Sequence, residues 1–340
     1  MSKVDTIKEV WLRLADEGTD GLVKIALDIP SNLKTFCTYK NPEKYYGIAF
    51  SFHQDIKLDI SNFLDLSELK VSLFKDASFP DSKLLLIQLI NRESRVFDIF
   101  ASICAYIVNS IRDAESEKEA VRLVITQIQK WKDLFSKKKG QKLSAQEQQG
   151  LYGELTFLRK LLFLLIDKVA VISFWVGPDM APKDYQSGMW AVEVKTTLAN
   201  SHSGISINGE QQLDESDIAK LYLYNIVVEA SQQNGQSLPE LIALIRQQLE
   251  EENRALGLFN GKLMQTGYFD LDEDFYNECH YQIRKEQYYL VKDEFPRVKK
   301  DELRIGVSDV KYSISLNLSG ENIVTEENVL NTIESYERNK

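Results

Sequence analysis

Two carboxylates and an ammonium group stand close together in the middle of this 340-residue chain. Asp184 is followed by a Gln-Ser-Gly turn, and a segment rich in Val and Thr then carries Glu193 and Lys195. Residues 189–197 are predicted to form a strand. Because side chains alternate across a strand, Glu193 and Lys195 should point to the same face, and Asp184 on the preceding arm can fold back beside them.

Such a group can hold a divalent metal ion against a phosphodiester. Mg²⁺ prefers carboxylate and carbonyl oxygens, so its candidate ligands are Asp184 and Glu193, with the Val194 carbonyl as a further one. Lys195 would orient or deprotonate a metal-bound water, or stabilise the charge that builds on the phosphoryl oxygens. The alternative is a plain hairpin with a solvated Glu-Lys face, since alternating charges are common on exposed strands.

A third carboxylate comes from a helix predicted over residues 148–165. Glu154 falls within the leucine stripe of this helix and should face the interior, where carboxylates are rare unless they are paired or metal-bound. It could instead lie at the edge of the stripe and extend to solvent, or form a structural ion pair. The stripe consists of Leu151, Leu155, Leu158 and Leu162.

Residues 204–207 are predicted to form a short strand, followed by a turn into a helix near 211. Amide side chains at such a helix start, Gln212 among them, could reach a DNA backbone or the lysine of the site. Ordinary helix-start chemistry explains any one of these residues equally well.

Taken together, these segments resemble the PD-(D/E)XK nuclease superfamily, and in particular a family whose members occur beside bacterial restriction-modification or phage-defence genes. The resemblance covers about residues 125–320, and Lys183 stands where the superfamily name has proline. The segments that carry it are Gly150 to Leu155, Trp175 to Pro178, Lys183 to Tyr185, Glu193 to Thr197, Ile207 to Leu213, Phe295 to Arg297 and Asp309 to Tyr312.

The resemblance implies a Mg²⁺-dependent DNA endonuclease, in which Mn²⁺ should substitute for Mg²⁺. Asp184 and Glu193 would hold the metal and Lys195 would position the water. Glu154 would tune the metal or bind a second one. The metal-activated water would hydrolyse the phosphodiester and leave a 5′-phosphate.

The same resemblance implies that Thr196, Thr197 or Gln212 contacts the scissile strand. The expected partners are double-stranded DNA, a second copy of the chain in a homodimer, and separate ATPase, helicase or methyltransferase chains. The alternative from another class is a non-catalytic nuclease-like subunit that binds DNA or a protein in a defence complex.

Composition agrees with a cytoplasmic protein and excludes several kinds of site. Three Cys and three His are scattered along the chain, which argues against a disulfide scaffold and a zinc site. No signal peptide and no apolar stretch long enough to cross a bilayer is apparent.

The net charge of −10 argues against indiscriminate nucleic-acid binding, so a local basic groove is required. Two candidate groups flank the carboxylates, although solvated loops are the simpler explanation: Lys130, Lys132, Lys137, Lys138, Lys139 and Lys142, and then Lys292, Arg297, Lys299, Lys300 and Arg304.

The predicted class is α/β (α+β), with two domains. Residues 1–140 should form an α+β domain for recognition or docking, with helices at 4–15, 96–112 and 118–135 and an antiparallel sheet from strands at 33–39, 46–53, 56–60, 69–74 and 83–90.

Residues 141–340 should form a restriction-endonuclease-like mixed-sheet core of αβββαβ order with a C-terminal extension. Its elements are a helix at 145–166, strands at 169–176, 189–197 and 204–207, a helix at 211–221 and a strand at 221–229. A helix near 326–336 should be peripheral.

Overall fold

The computed structural model of the protein describes residues 3–63, 69–90, 93–112, 114–138, 141–200, 204–316 and 320–338, without the side chains of residues 62, 95, 132–138 and 321. The chain divides into two compact units, residues 1–141 and 142–340. Within the described ranges, no helix is both long enough and apolar enough to cross a membrane.

The described residues of the first unit form an antiparallel sheet and helices. The elements are α1 (Lys3–Asp16), β1 (Gly21–Ala26), β2 (Lys34–Asn41), β3 (Tyr45–His53), β4 (Leu69–Lys75), β5 (Ser82–Leu89), α2 (Ser94–Ser110) and α3 (Glu117–Lys138). The strands run in the order β1-β2-β3-β5-β4, and each neighbouring pair is antiparallel. Helix α1 buries Trp11, whose ring stacks on Phe100 at 5.3 Å and whose Nε1 donates to the Gly47 carbonyl at 2.7 Å.

The second unit is built on a mixed sheet. Its elements are α4 (Ala145–Leu164), α5 (Lys168–Phe174), β6 (Tyr185–Gln186), β7 (Trp190–Leu198), β8 (Gly204–Ile207), β9 (Lys220–Ser231), β10 (Gln236–Ser237), α6 (Leu238–Gln248), α7 (Asn253–Gln265), α8 (Glu273–Tyr276), β11 (His280–Leu290), β12 (Tyr312–Ser315), β13 (Ile323–Val324) and α9 (Glu326–Arg338). The strand order of the mixed sheet is β10-β11-β9-β7-β6, with β13 paired to β11. Strands β7 and β9 are parallel, and the other pairs in this sheet are antiparallel.

The two faces of this mixed sheet are covered differently. Val192 and Val194 of β7 belong to a core shared with helices α4, α5, α6, α7 and α9. Ala191, on the opposite face, packs into a second core with residues of β8 and β12, which form a separate antiparallel pair. Because side chains alternate along a strand, Glu193 and Lys195 lie on the Ala191 face. The predicted fold class, with an N-terminal antiparallel sheet and a mixed-sheet core, is confirmed.

Helix α4 begins where its sequence predicts. Ser144 is the N-cap residue, and its side chain accepts from the Glu147 backbone NH while the Glu147 carboxylate accepts from the Ser144 NH. The predicted leucine stripe is buried. The helix lies very close to β7 at Gly153, since a Cβ atom there would stand 1.9 Å from Thr196 Oγ1. This close approach brings the next residue, Glu154, to the edge of the sheet.

Several predicted elements are wrong. Residues 169–176 form mainly helix α5 rather than a strand, with Asp167 as its N-cap, and no helix forms at 211–221, where the chain makes turns before β9. No strand forms at 56–60, and β1 was not predicted. Helix α9 is not peripheral, because Val329 and Ile333 are fully buried in the core with α4.

Candidate active site

Asp184 folds back beside β7, as its position ahead of the turn predicts. The Val194 backbone NH donates to Asp184 Oδ2 at 2.7 Å. This is possible because β6 pairs with residues 191 and 192 of β7, so no strand of the described residues pairs with that edge at Val194. The NH and carbonyl of one strand residue point to the same side, so the Val194 carbonyl also faces the Asp184 side.

Glu193 and Lys195 form an ion pair on one face of β7. Lys195 Nζ lies 2.7 Å from Glu193 Oε1 and also donates to Gln212 Oε1 at 3.0 Å. Glu193 is only 1% exposed. Its second oxygen, Oε2, is enclosed and has no hydrogen-bond partner in the described part of the chain. A buried carboxylate oxygen without a donor is costly, so it marks a place where a ligand would stabilise the protein.

Glu154 reaches the same region from helix α4. Its Oε2 accepts from Trp175 Nε1 at 2.8 Å, and its backbone carbonyl accepts from the Tyr185 hydroxyl at 2.7 Å. Gly177 lies beneath the two carboxylates, since a Cβ atom there would stand 3.2 Å from both Glu154 Oε2 and Asp184 Oδ1. A glycine therefore leaves these two oxygens the room that they occupy.

A buried lysine of helix α7 holds the segment that carries Trp175 and Gly177. Lys262 Nζ donates to the Trp175 carbonyl and to Asp179 Oδ2, the latter at 2.8 Å. Lys262 was not predicted from the sequence, because it lies 87 residues after Trp175 in a helix that carries no other predicted site residue. No role was predicted for Trp175 and Gly177 either, although both belong to the segments that carry the resemblance.

The electrostatics of the site are dominated by burial of like charges. Burial raises the pKa of Asp184 to about 6, against the opposing effects of Lys195 and the Val194 NH. Burial, and next the Asp184 charge, raise the pKa of Glu154 and of Glu193. Burial alone would lower the pKa of Lys195, but the neighbouring carboxylates outweigh it and raise that pKa. One ammonium thus faces three carboxylates.

The residues fit a hard divalent cation. The donors are all oxygens, one of them is the enclosed Glu193 Oε2, and the site has an excess of negative charge. Among the residues that the structure describes, no three His, Cys, Asp or Glu side chains are grouped as metal ligands. Mg²⁺ in proteins commonly takes one or two carboxylates and completes its shell with water, which suits Asp184, Glu193 and the Val194 carbonyl.

The three predicted DNA contacts have different surroundings. Thr197 is partly exposed and lies on the Lys195 face of β7. Thr196 lies on the opposite face with its hydroxyl enclosed against Gly153, so the structure does not bring it to the site. Gln212 is at the site, where its Oε1 accepts from Lys195 Nζ and from the Asn208 backbone NH at 2.9 Å.

The downstream basic group is partly neutralised. Arg297 and Lys299 each bond to Glu215 Oε1 at 2.6 Å. Burial raises the pKa of Tyr312, and Arg297 and Lys195 are close enough to oppose that rise, which places this tyrosine beside the site. In the upstream group, Lys139 and the side chains of Lys132, Lys137 and Lys138 lie outside the part of the chain that the structure describes.

Comparison with known proteins identifies the family. A family model described as "Putative PD-(D/E)XK family member, (DUF4420)" matches residues 7–317. The chain belongs to this family, which confirms the resemblance carried by its motifs and supports a nuclease-like fold. No curated protein and no solved structure matches the chain.

Proposed function

We propose that this member of the PD-(D/E)XK family is a divalent-metal-dependent deoxyribonuclease that hydrolyses phosphodiester bonds in double-stranded DNA. The observation that carries the proposal is the enclosed Glu193 Oε2, to which no described residue donates a hydrogen bond, while the other oxygen of this carboxylate is paired with Lys195. Asp184 and Glu154 act electrostatically on the same carboxylate. A cation satisfies that oxygen and offsets the shared negative charge.

Asp184 and Glu193, with the Val194 carbonyl, would hold Mg²⁺ or Mn²⁺. The bound ion would supply a Lewis acid for the phosphoryl oxygens and lower the pKa of the attacking water. Glu154, oriented by the Trp175 NH, would tune the charge of the site or help to hold a second ion. No part of this assignment needs His or Cys ligands, which agrees with their scattered positions in the sequence.

Lys195 would stabilise charge rather than accept a proton. Its raised pKa favours the ammonium form at neutral pH, and Glu193 and Gln212 fix the position of that ammonium. A fixed cation next to a phosphoryl oxygen stabilises the charge that grows there in the transition state. Of the roles predicted for this lysine, orientation of the water and charge stabilisation therefore agree best with its surroundings.

The biological setting is part of the proposal. We propose that the chain acts in the cytoplasm, in restriction-modification or phage defence, with Thr197 and Gln212 near the scissile strand. A homodimer would place one site on each strand of a duplex. Separate ATPase, helicase or methyltransferase chains, and a recognition or docking role for residues 1–140, complete the proposed assembly.

The direct test is cleavage of unmodified plasmid and phage DNA with Mg²⁺ or Mn²⁺. Lys195→Ala should lower the single-turnover rate at least about a hundredfold, as loss of one charge-stabilising donor does elsewhere. Lys285→Ala is the matched control, since Lys285 is an exposed lysine on β11. EDTA should abolish cleavage by the wild type.

Two other cleavage results would change the proposed function or the assignment of its residues. If no variant cleaves DNA although each is folded, the chain is better explained as a non-catalytic nuclease-like subunit, and DNA binding should then be measured directly. If Lys195→Ala cleaves as fast as the wild type, the active site has been assigned to the wrong residues.

A further inference from the structure

We infer that Lys183 is a positioning residue for Lys195, which it reaches through the turn over residues 208–212. Lys183 immediately precedes Asp184, where the superfamily name has proline, and nothing in the motif assigns it a role. The inference deepens the proposed function and rests on it for its consequence in catalysis. The contacts on which it rests join two arms of the site, and they can be tested without any cleavage of DNA.

The contacts run through two consecutive glutamines. Lys183 Nζ donates to the Gln211 backbone carbonyl at 2.8 Å. The next residue, Gln212, accepts from Lys195 Nζ at 3.0 Å and from the Asn208 backbone NH at 2.9 Å through the same side-chain oxygen. Two adjacent residues of the turn are therefore bonded, Gln211 to the arm that carries Asp184 and Gln212 to the lysine of β7.

Burial explains why the bond from Lys183 should hold the turn firmly. Lys183 is 8% exposed, and no carboxylate of the described residues lies within salt-bridge distance of its ammonium. Asp214 and Glu193 act on it only at longer range. An enclosed ammonium is costly without a hydrogen-bond acceptor, so moving the Gln211 carbonyl away would leave this charge unsatisfied.

The same geometry argues against a direct substrate contact for Lys183. Its side chain is buried and its ammonium is already bonded to main chain, whereas Lys195 projects from β7 among the carboxylates. No helix includes residues 208–219. Within the turn the Gln212 backbone NH donates to the Gly209 carbonyl at 3.2 Å, and side-chain contacts add to that bond. Lys183 supplies one such contact from outside the turn.

The first experiment is amide hydrogen exchange, followed by mass spectrometry on the metal-free protein. Lys183→Met should speed exchange in the peptide over residues 204–213 about ten- to a hundredfold, the factor expected for loss of one hydrogen bond to a charged group. Lys285→Met is the matched control and should change nothing there. Lys183→Gln, which is shorter and polar, makes the same test should the methionine variant not fold.

Two exchange results would overturn the inference. One is unchanged protection over residues 204–213. The other is an equal rise in exchange over β9 and α6, because that would make Lys183 a general stabilising residue. A rise confined to the turn supports the inference whether or not the protein cleaves DNA, so failure of the proposed function is recognised separately.

The second experiment is a double-mutant cycle in single-turnover DNA cleavage. Lys183→Met should slow cleavage roughly tenfold, as loss of one such hydrogen bond allows. If Lys183 acts through Gln212, adding Lys183→Met to Gln212→Leu should cause little further loss. Rate losses that multiply would show two independent contributions and contradict the inference.

Discussion

Replacing Asp184 with asparagine should make the metal-free protein more stable at alkaline pH while removing the proposed nuclease activity. Burial raises the pKa of Asp184 from 3.8 to about 6. A shift of roughly two units corresponds to about 3 kcal/mol, and because this side chain is partly exposed we expect about 2 kcal/mol. Asparagine keeps an acceptor for the Val194 NH, so the hydrogen bond at that position survives.

The pH dependence has a definite sign. A carboxyl whose pKa is raised in the folded state contributes its stability below the pKa of the unfolded chain, near 3.8, and loses that contribution as the pH rises through about 6. Wild type and Asp184→Asn should therefore differ little at pH 4 and most above pH 7. Asparagine cannot ionise, so the variant does not lose this stability as the pH rises.

Urea unfolding in EDTA between pH 4 and pH 8 measures this difference. Asp301→Asn, at an exposed position, is the matched control and should show no such pH-dependent gain. Mg²⁺ should raise the stability of the wild type at pH 8 and have much less effect on Asp184→Asn, because a ligand stabilises only the form that binds it. A variant that is less stable than the wild type at every pH would refute the reasoning.

Two further predictions concern glycines. Gly177→Ala should place a methyl group 3.2 Å from two carboxylate oxygens and weaken Mn²⁺ binding about tenfold or more, measured by calorimetry; unchanged affinity would separate Gly177 from the metal site. Gly153→Ala should cost about 1–3 kcal/mol of unfolding free energy, since its Cβ would stand 1.9 Å from Thr196 Oγ1. Gly150→Ala is the control in the same helix, because a Cβ atom there would have no atom within 4 Å, and it should stabilise the protein by about 0.5–1 kcal/mol. Equal effects of the two changes on the unfolding free energy would contradict the close packing of α4 on β7.

The positions of the charged residues of the site could be predicted because each depends on one strand, one turn or one helix. Glu193 and Lys195 are two residues apart on one strand, so alternation alone places them together, and a turn returns Asp184 to that strand. Glu154 was predictable from a single helix, since a carboxylate inside a leucine stripe needs a partner. The structure places all four residues in one electrostatic cluster.

The rest could not be predicted, either because a short segment fits two structures equally well or because contacts between distant segments decide the outcome. Residues 169–176 contain Val, Ile, Phe and Trp in a short apolar run, which fits a buried strand or a buried helix, and the Asp167 cap decides for helix α5. Thr196 was expected to contact DNA, but the approach of α4 at Gly153 encloses its hydroxyl. Glu337 of α9 accepts from Trp190 Nε1 at 2.8 Å, a contact across 147 residues that no local pattern predicts.

The hydrogen bonds within the site do not by themselves explain why its residues are acids. Glu154 accepts from the Trp175 NH and Asp184 accepts from the Val194 NH, and neutral Gln and Asn side chains could accept from the same donors. Burying a charged carboxylate costs free energy that burying a neutral amide would avoid, as the raised pKa values of Glu154 and Asp184 indicate. Lys195 balances one negative charge, and no residue in the described ranges donates to Glu193 Oε2. A divalent cation would offset the remaining charge and occupy that oxygen, which favours a metal-dependent hydrolase over a binding subunit with an inert site.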